Sequence, residues 1–363
     1  MLNRELVIIG GGPAGLCAAL NAAKSGQSSL IIERSPMLGG QLIKQTHMFF
    51  GSEKQYAKSR GFEIAEKLIE EVRKSPLIEV WVNTTALGLY EDKVLTVLKE
   101  EEYLKLKADA YIIATGASEK SLAFENNDLP GVYGAGAVQT LMNVYGVKPG
   151  HKIIMVGSGN IGLIVSYQLL QAGVKVIAVV EASSKIGGYK VHAAKLRRYG
   201  IPIYINTTIK KAIGKDFVEK VETIKLDDNF EFIPGTEQVY DVDAVCVAVG
   251  LSPLSQLLTM VGCEMKYVSE LGGVVPVLSD KNETSIPGIY ACGDVCAIEE
   301  ASSAIVEGYL TGLVASKFLG KVHPEYDKLI DQYKQELTNL RSGPFGKKLR
   351  DGFLKLKGES NAL

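Results

Sequence analysis

Leu6-Val7-Ile8-Ile9-Gly10-Gly11-Gly12-Pro13-Ala14-Gly15, the Ala/Leu-rich run on to Lys24, and Ser29 to Glu33 form the stretch that decides the fold. An apolar run of strand length, a glycine-rich turn, a helical pattern and a second apolar run read as the opening of a βαβ unit. The glycines have a physical purpose at this spacing. A dinucleotide pyrophosphate must reach the backbone N–H groups at a helix start, where unpaired donors and the positive end of the helix dipole favour anions. Gly10 permits the tight turn, Gly12 lets the phosphates approach, and Gly15 lets helix and strand pack closely. Glu33, 18 residues beyond Gly15, is placed to accept hydrogen bonds from an adenosine ribose.

The same unit occurs twice. Lys152 to Val156, Gly157-Ser158-Gly159-Asn160-Ile161-Gly162, a helix to Gln171 and Val174 to Glu181 repeat the layout. Each copy later closes on a strand that ends in glycine, Asp109 to Gly116 in the first and Asp243 to Gly250 in the second. After Gly250 no third unit begins. Instead Ile289-Tyr290-Ala291-Cys292-Gly293-Asp294 precedes a helical pattern from Glu299 to Leu319, a piece that needs a domain to join. The fold class expected is α/β with two Rossmann-like domains, the second inserted into the first, plus a helical C-terminal tail. The expected ranges are 1–117 with 251–320, then 118–250, then 321–363. Pro130 to Gly136 and Val147 to Gly150, rich in Gly and Pro, are the expected lead-in segments of the insert.

With these motifs in place, the chain resembles the two-dinucleotide-binding-domain flavoproteins of thioredoxin-reductase-like architecture over about residues 5 to 320. Gly39-Gly40-Gln41-Leu42 matches the family's segment beside FAD, and Tyr290 to Asp294 matches its closing motif, whose aspartate binds the ribitol. The resemblance implies FAD held by Gly10, Gly12, Pro13, Ala14, Gly15, Glu33, Arg34, Gly40, Gln41, Ala114, Thr115, Gly116, Gly293 and Asp294. The second loop suits NAD(H), held by Gly157, Gly159, Asn160, Gly162, Glu181 and Gly250. The Glu181 carboxylate matches a 2′-hydroxyl and repels a 2′-phosphate, and no arginine follows it directly. A duplicated domain that binds nothing, or takes another adenine nucleotide, is the alternative reading of this loop.

Relatives that reduce disulfides carry a cysteine pair in the insert or soon after the first acidic residue, and this chain carries neither. Cys292 and Cys296 form only one Cys-x-x-x-Cys, and the simpler reading of Cys292 is a small buried strand-end residue. A bound flavin must then exchange electrons with a substrate, a small acceptor or another protein's cofactor. The stretch Gly39 to Ser52, with Ile186-Gly187-Gly188-Tyr189 and His192, is similar to the flavoprotein subunits of multisubunit amino-acid, opine, sarcosine and glycerol-3-phosphate dehydrogenase systems. That likeness implies, as partner, a second flavoprotein dehydrogenase, with NADH as hydride donor and an oligomer or hetero-complex as the assembly. Gln41, Lys44 and His47 are the candidates for contact with the ring or a hydride acceptor, although a loop histidine bonded to backbone is an equal reading. Rival functions are a stand-alone NADH oxidase or ferredoxin reductase, and a non-catalytic nucleotide-binding assembly subunit.

Composition narrows the remaining classes. A 363-residue chain with 46% hydrophobic and 22% charged residues is ordinary for a globular protein, and a net charge of -1 supplies no overall pull toward nucleic acid. Apolar runs are of strand length, so no integral membrane segment is expected, and with no leader pattern ahead of Leu6 a cytoplasmic location is expected. In the tail, Leu329, Ile330, Tyr333, Leu337 and Leu340, then Phe345, Leu349, Phe353 and Leu356, fall at helical spacing. Arg341 to Lys357 holds six basic residues against one acid, a face for an acidic partner or the solvated side of a helix packed on its own domain, with membrane-surface attachment a third reading.

Overall fold

The computed structural model describes residues 1–49, 52–344 and 346–358. The chain divides into two units, Met1–Ser118 with Ser252 onward, and Glu119–Leu251.

Among the described residues the first unit is built on a seven-stranded sheet. Its order is Ile78–Trp81, Ser29–Ile32, Leu2–Ile9, Glu102–Ile113, Val94–Lys99 and Thr84–Leu89, with Ile289–Ala291 also paired to Glu102–Ile113. Leu2–Ile9 runs parallel to both neighbours, with Ile8 opposite Ile31 and Ile112. The central strands are continuous apolar runs because both faces are covered. Leu6 and Ile8 enter one core with Ile31 and Ile112, while Val7 and Ile9 enter the other with Leu30, Tyr111 and Ile113.

Helix Pro13–Lys24 follows the first strand and is covered by helix Ala301–Phe318. Small residues bring these two helices into backbone contact. A Cβ on Gly308 would stand 2.2 Å from the Ala14 carbonyl oxygen, and one on Gly312 would stand 2.1 Å from that of Ala18. The late segment therefore completes the first unit, with Ile289–Ala291 in register with Tyr111 to Ile113.

The tail helices Tyr326–Leu340 and Lys347–Leu356 also pack within this unit. Ile330 and Leu337 join the core under helix Ala301–Phe318, and Leu356 closes a smaller cluster with Val268, Leu271 and Val275. Phe345, expected on the apolar face, lies outside the described residues. The basic run is less available than its composition implies. Arg341 is ion-paired to Glu299 and Glu307, Lys355 to Glu270, and Arg350 donates to the carbonyls of Arg341, Ser342 and Gly343.

The second unit carries a five-stranded parallel sheet in the order Ile203–Tyr204, Lys175–Val180, Lys152–Val156, Ala244–Val247 and Val132–Gly134. An antiparallel three-stranded sheet, Thr207–Ile213, Lys220–Lys225 and Gln238–Asp241, accompanies it. Pro130 to Gly136 is not a lead-in loop. Val132–Gly134 is a sheet strand that runs straight into helix Ala135–Asn143. Its glycines serve packing, since a Cβ on Gly131 would stand 3.0 Å from the Asp243 carbonyl oxygen. No helix among the described residues is long and apolar enough to cross a membrane.

Candidate functional site

In the first unit, Gly10 takes φ +113°, and a Cβ there would stand 2.2 Å from the Ala114 carbonyl oxygen. A Cβ on Gly15 would stand 1.9 Å from the Gly10 carbonyl oxygen. These two positions are therefore closed to any side chain. Gly12 differs, because a Cβ there would meet nothing nearer than Gly40 Cα at 3.9 Å. Open space lies over its backbone at the start of helix Pro13–Lys24, whose first turn has no side-chain cap and no acid. That is the opening a phosphate needs.

Glu33 is buried and reaches back to this loop. One carboxylate oxygen accepts the Gly11 N–H at 2.8 Å and the other accepts the Ser35 N–H at 2.8 Å. Gly39 N–H donates to the Gly11 carbonyl at 2.8 Å, which folds Gly39-Gly40 onto the same turn. Gly293, at φ +79°, approaches from the late segment, where a Cβ would stand 2.9 Å from Ala14 Cβ. Gly10 to Gly15, Glu33, Gly40, Ala114 and Gly293 are thus brought together. Of the others, Arg34 and Gln41 are exposed, and the Thr115 hydroxyl donates to the Leu254 carbonyl at 2.7 Å. Lys44 and His47 are half-buried, with His47 stacked on Phe49 at 5.6 Å between ring centroids.

Asp294 follows Gly293, and one of its carboxylate oxygens accepts the Glu299 N–H at 3.3 Å. Burial pushes its carboxyl up to about 6 from 3.8. A carboxylate desolvated to this degree calls for donors such as sugar hydroxyls. With the open backbone at Gly12, it makes the residues present fit a flavin dinucleotide.

The second loop repeats the construction. Gly157 takes φ +101° with its Cβ direction blocked 2.3 Å away by the Ala248 carbonyl oxygen, Gly162 is blocked at 2.1 Å by the Gly157 carbonyl oxygen, and Gly159 faces open space. Glu181 accepts the Ser158 N–H at 2.8 Å and hydroxyl at 2.6 Å on one oxygen, and the Ser183 N–H at 2.9 Å on the other. Asn160 is used within the loop, its side-chain oxygen accepting the Tyr189 N–H at 2.8 Å. Gly250, at φ +111°, accepts Lys120 N–H through its carbonyl at 3.0 Å. His192 is buried, and that burial lowers its pKa below the usual 6.5.

Two groups escaped sequence reasoning. Ser158 locks the acid of the second loop, where the first loop has Gly11. The other is a buried cluster at the closing motif. Glu307 accepts the Gly293 N–H at 2.7 Å, and Arg341 pairs with both Glu307 and Glu299. A charged residue inside the apolar run Ala304 to Val314 was the available signal, since a buried charge needs a partner. All five cysteines are free and buried. Desolvation raises the Cys17 thiol to about 12 and pushes Cys292 and Cys296 up as well. Among the described residues no group of His, Cys, Asp and Glu could hold a metal ion.

The family model described as pyridine nucleotide-disulphide oxidoreductase matches residues 4–308. The alpha subunit of sarcosine oxidase from Rhizobium meliloti (strain 1021) is 26% identical over 318 residues, 84% of this chain and 29% of that protein. An opine oxidase subunit of Agrobacterium tumefaciens (strain Ach5) is 25% identical over 326 residues, 86% of this chain and 65% of that protein. The chain thus spans less than two thirds of these relatives. Among solved structures, T. acidophilum thioredoxin reductase superposes with a TM-score of 0.71 at 21% identity, covering 87% of this chain and 99% of that one.

Proposed function

This chain belongs to the pyridine nucleotide-disulphide oxidoreductase family and is a flavin-dependent oxidoreductase, and from that premise we propose that it passes hydride between NAD(H) and FAD and exchanges electrons with a partner dehydrogenase subunit or a small acceptor. The observation that carries the reading is the repeated loop and acid, Gly11 with Glu33 and Ser158 with Glu181, present once in each unit. When bound, FAD supplies reversible two-electron chemistry. Gly12 at the open helix start would offer backbone donors to its pyrophosphate, with Gly10 and Gly15 shaping the turn, Glu33 would receive the adenosine ribose, and Asp294 would receive the ribitol chain. Glu181 orients the ribose of NAD(H) in the same manner.

The internal dithiol used in disulfide reduction has no counterpart here, because Cys292 and Cys296 are buried and held protonated. Electrons must leave by another carrier. The names of the sarcosine and opine oxidase relatives, both subunits, support a partner that oxidises an amine-containing substrate. Anaerobic titration tests the reading. The purified chain should carry yellow FAD that bleaches with one equivalent of NADH. Flavin that stays oxidised under NADH, yet is reduced when a partner and its substrate are added, overturns the NADH assignment.

A further inference from the structure

We propose that Arg341, in the tail beyond the family-matched residues 4–308, is a positioning residue of the flavin site, holding the Gly293-Asp294 turn in place through Glu307. The inference rests on FAD occupying the first unit and concerns how the chain retains it. Glu307 sits on helix Ala301–Phe318 next to Gly308, whose backbone-tight contact with Ala14 fixes the helix over the first loop. From there one carboxylate oxygen takes the Gly293 N–H at 2.7 Å, and the other meets the Arg341 guanidinium.

Arg341 also grips Glu299 in a fork, Nε at 3.1 and 3.0 Å from the two oxygens and Nη2 at 2.6 Å from one of them. Glu299 in turn donates its N–H to Asp294 at 3.3 Å. One guanidinium thus ties down residues on both sides of Asp294. The side chains of Arg341, Glu299 and Glu307 are 18%, 6% and 7% exposed, so these charges are largely out of water. The Phe353 ring lies 4.7 Å from the guanidinium carbon and covers it.

Removing the arginine from such a cluster leaves two buried carboxylates without their cation, which is far worse than removing the whole set. Glu307 then either takes a proton or turns away, and the Gly293 N–H loses its hold. Glutamine at both positions lifts the buried charge, and at position 307 its side-chain oxygen still accepts the Gly293 N–H. The charge argument therefore predicts rescue, and a purely steric role for Arg341 does not.

The experiment compares the full-length parent, Arg341→Met, and Arg341→Met combined with Glu299→Gln and Glu307→Gln. FAD is stripped and titrated back at pH 8, following flavin fluorescence and the rate of FAD release. Arg341→Met should raise the FAD dissociation constant at least tenfold, and the triple variant should return to within about threefold of the parent. If Arg341→Met fails to fold, a folded triple variant that binds FAD supports the proposal, and a triple variant that also fails overturns it. Parent-like FAD binding in Arg341→Met overturns it as well, as does a triple variant no better than the single. A parent chain that takes up no FAD would instead refute the flavin assignment on which the proposal stands.

Discussion

The Ser158 hydroxyl donates to the Glu181 carboxylate at 2.6 Å, so the acid that closes the second glycine loop is locked by a side chain as well as by backbone. In the first loop the corresponding residue is Gly11, which offers Glu33 only its N–H. A negative charge fixed this close to the loop favours a 2′-hydroxyl over a 2′-phosphate. Glu181→Ala should weaken NADH binding by about 10- to 100-fold, the equivalent of one or two hydrogen bonds to a charged group. Its effect on NADPH should be smaller or reversed. Fluorescence titration with both nucleotides measures the ratio, and equal losses for the two would remove the specificity argument.

Gly308 meets the Ala14 carbonyl oxygen so closely that even one methyl group cannot enter without moving a helix. Gly308→Ala should lower the stability of the first unit by about 1–3 kcal/mol, the range for forced overpacking. Because that helix start bears the phosphate opening, FAD should also be released faster. Urea melts of the flavin-free protein and FAD release rates report the two effects separately.

The burial of Asp294 carries a pH signature. Its carboxyl is raised to about 6 from 3.8, so the folded state binds the proton more tightly than the unfolded chain does. Unfolding stability from this group is fully present below about pH 4 and is lost as pH climbs through about 6. The loss amounts to up to ~3 kcal/mol at 1.36 kcal/mol per pH unit. Asp294→Asn should remove that slope in thermal melts of flavin-free protein between pH 4 and 7. A parent curve with no such component would show that the carboxyl is solvated.

The cysteines give a direct test of dithiol-independent chemistry. With all five buried, native protein should react with a thiol reagent only as fast as it opens, and unfolded protein should release five equivalents. Cys292→Ser with Cys296→Ser should leave NADH-driven flavin reduction within about twofold of the parent, measured by stopped-flow absorbance. Abolished reduction in a folded, flavin-loaded double variant would restore a redox role to the pair.

What sequence can and cannot reveal here follows from the range of each constraint. Gly10, Gly15, Gly157 and Gly162 are legible because their requirement is local, a turn and a helix start within six residues of each other. For the late segment the sequence offers only that no third unit begins after Gly250, and the pairing of Ile289–Ala291 with Tyr111 to Ile113 is a long-range contact. Pro130 to Gly136 misleads because Gly and Pro mark tight packing beside a short strand as readily as they mark a loop. In the basic tail Arg341 is drawn largely out of water, against Glu299 and Glu307, while Arg350 and Lys355 stay exposed and bond within the first unit. The apolar run around Glu307 signals that the charge needs a partner but not that the partner lies 34 residues later.

The insertion also sets an order of assembly during synthesis. The strands of the second unit's parallel sheet are all available once residue 247 has been made, and the unit itself spans Glu119–Leu251. The first unit must wait. Helix Pro13–Lys24 is made before the second unit, yet the helix that covers its Ala14 and Ala18 ends only at Phe318. Until then an apolar helix face and an incomplete sheet stand uncovered, the kind of surface on which chaperones act. A nascent chain halted near residue 260 should therefore present a folded second unit beside an incomplete first one.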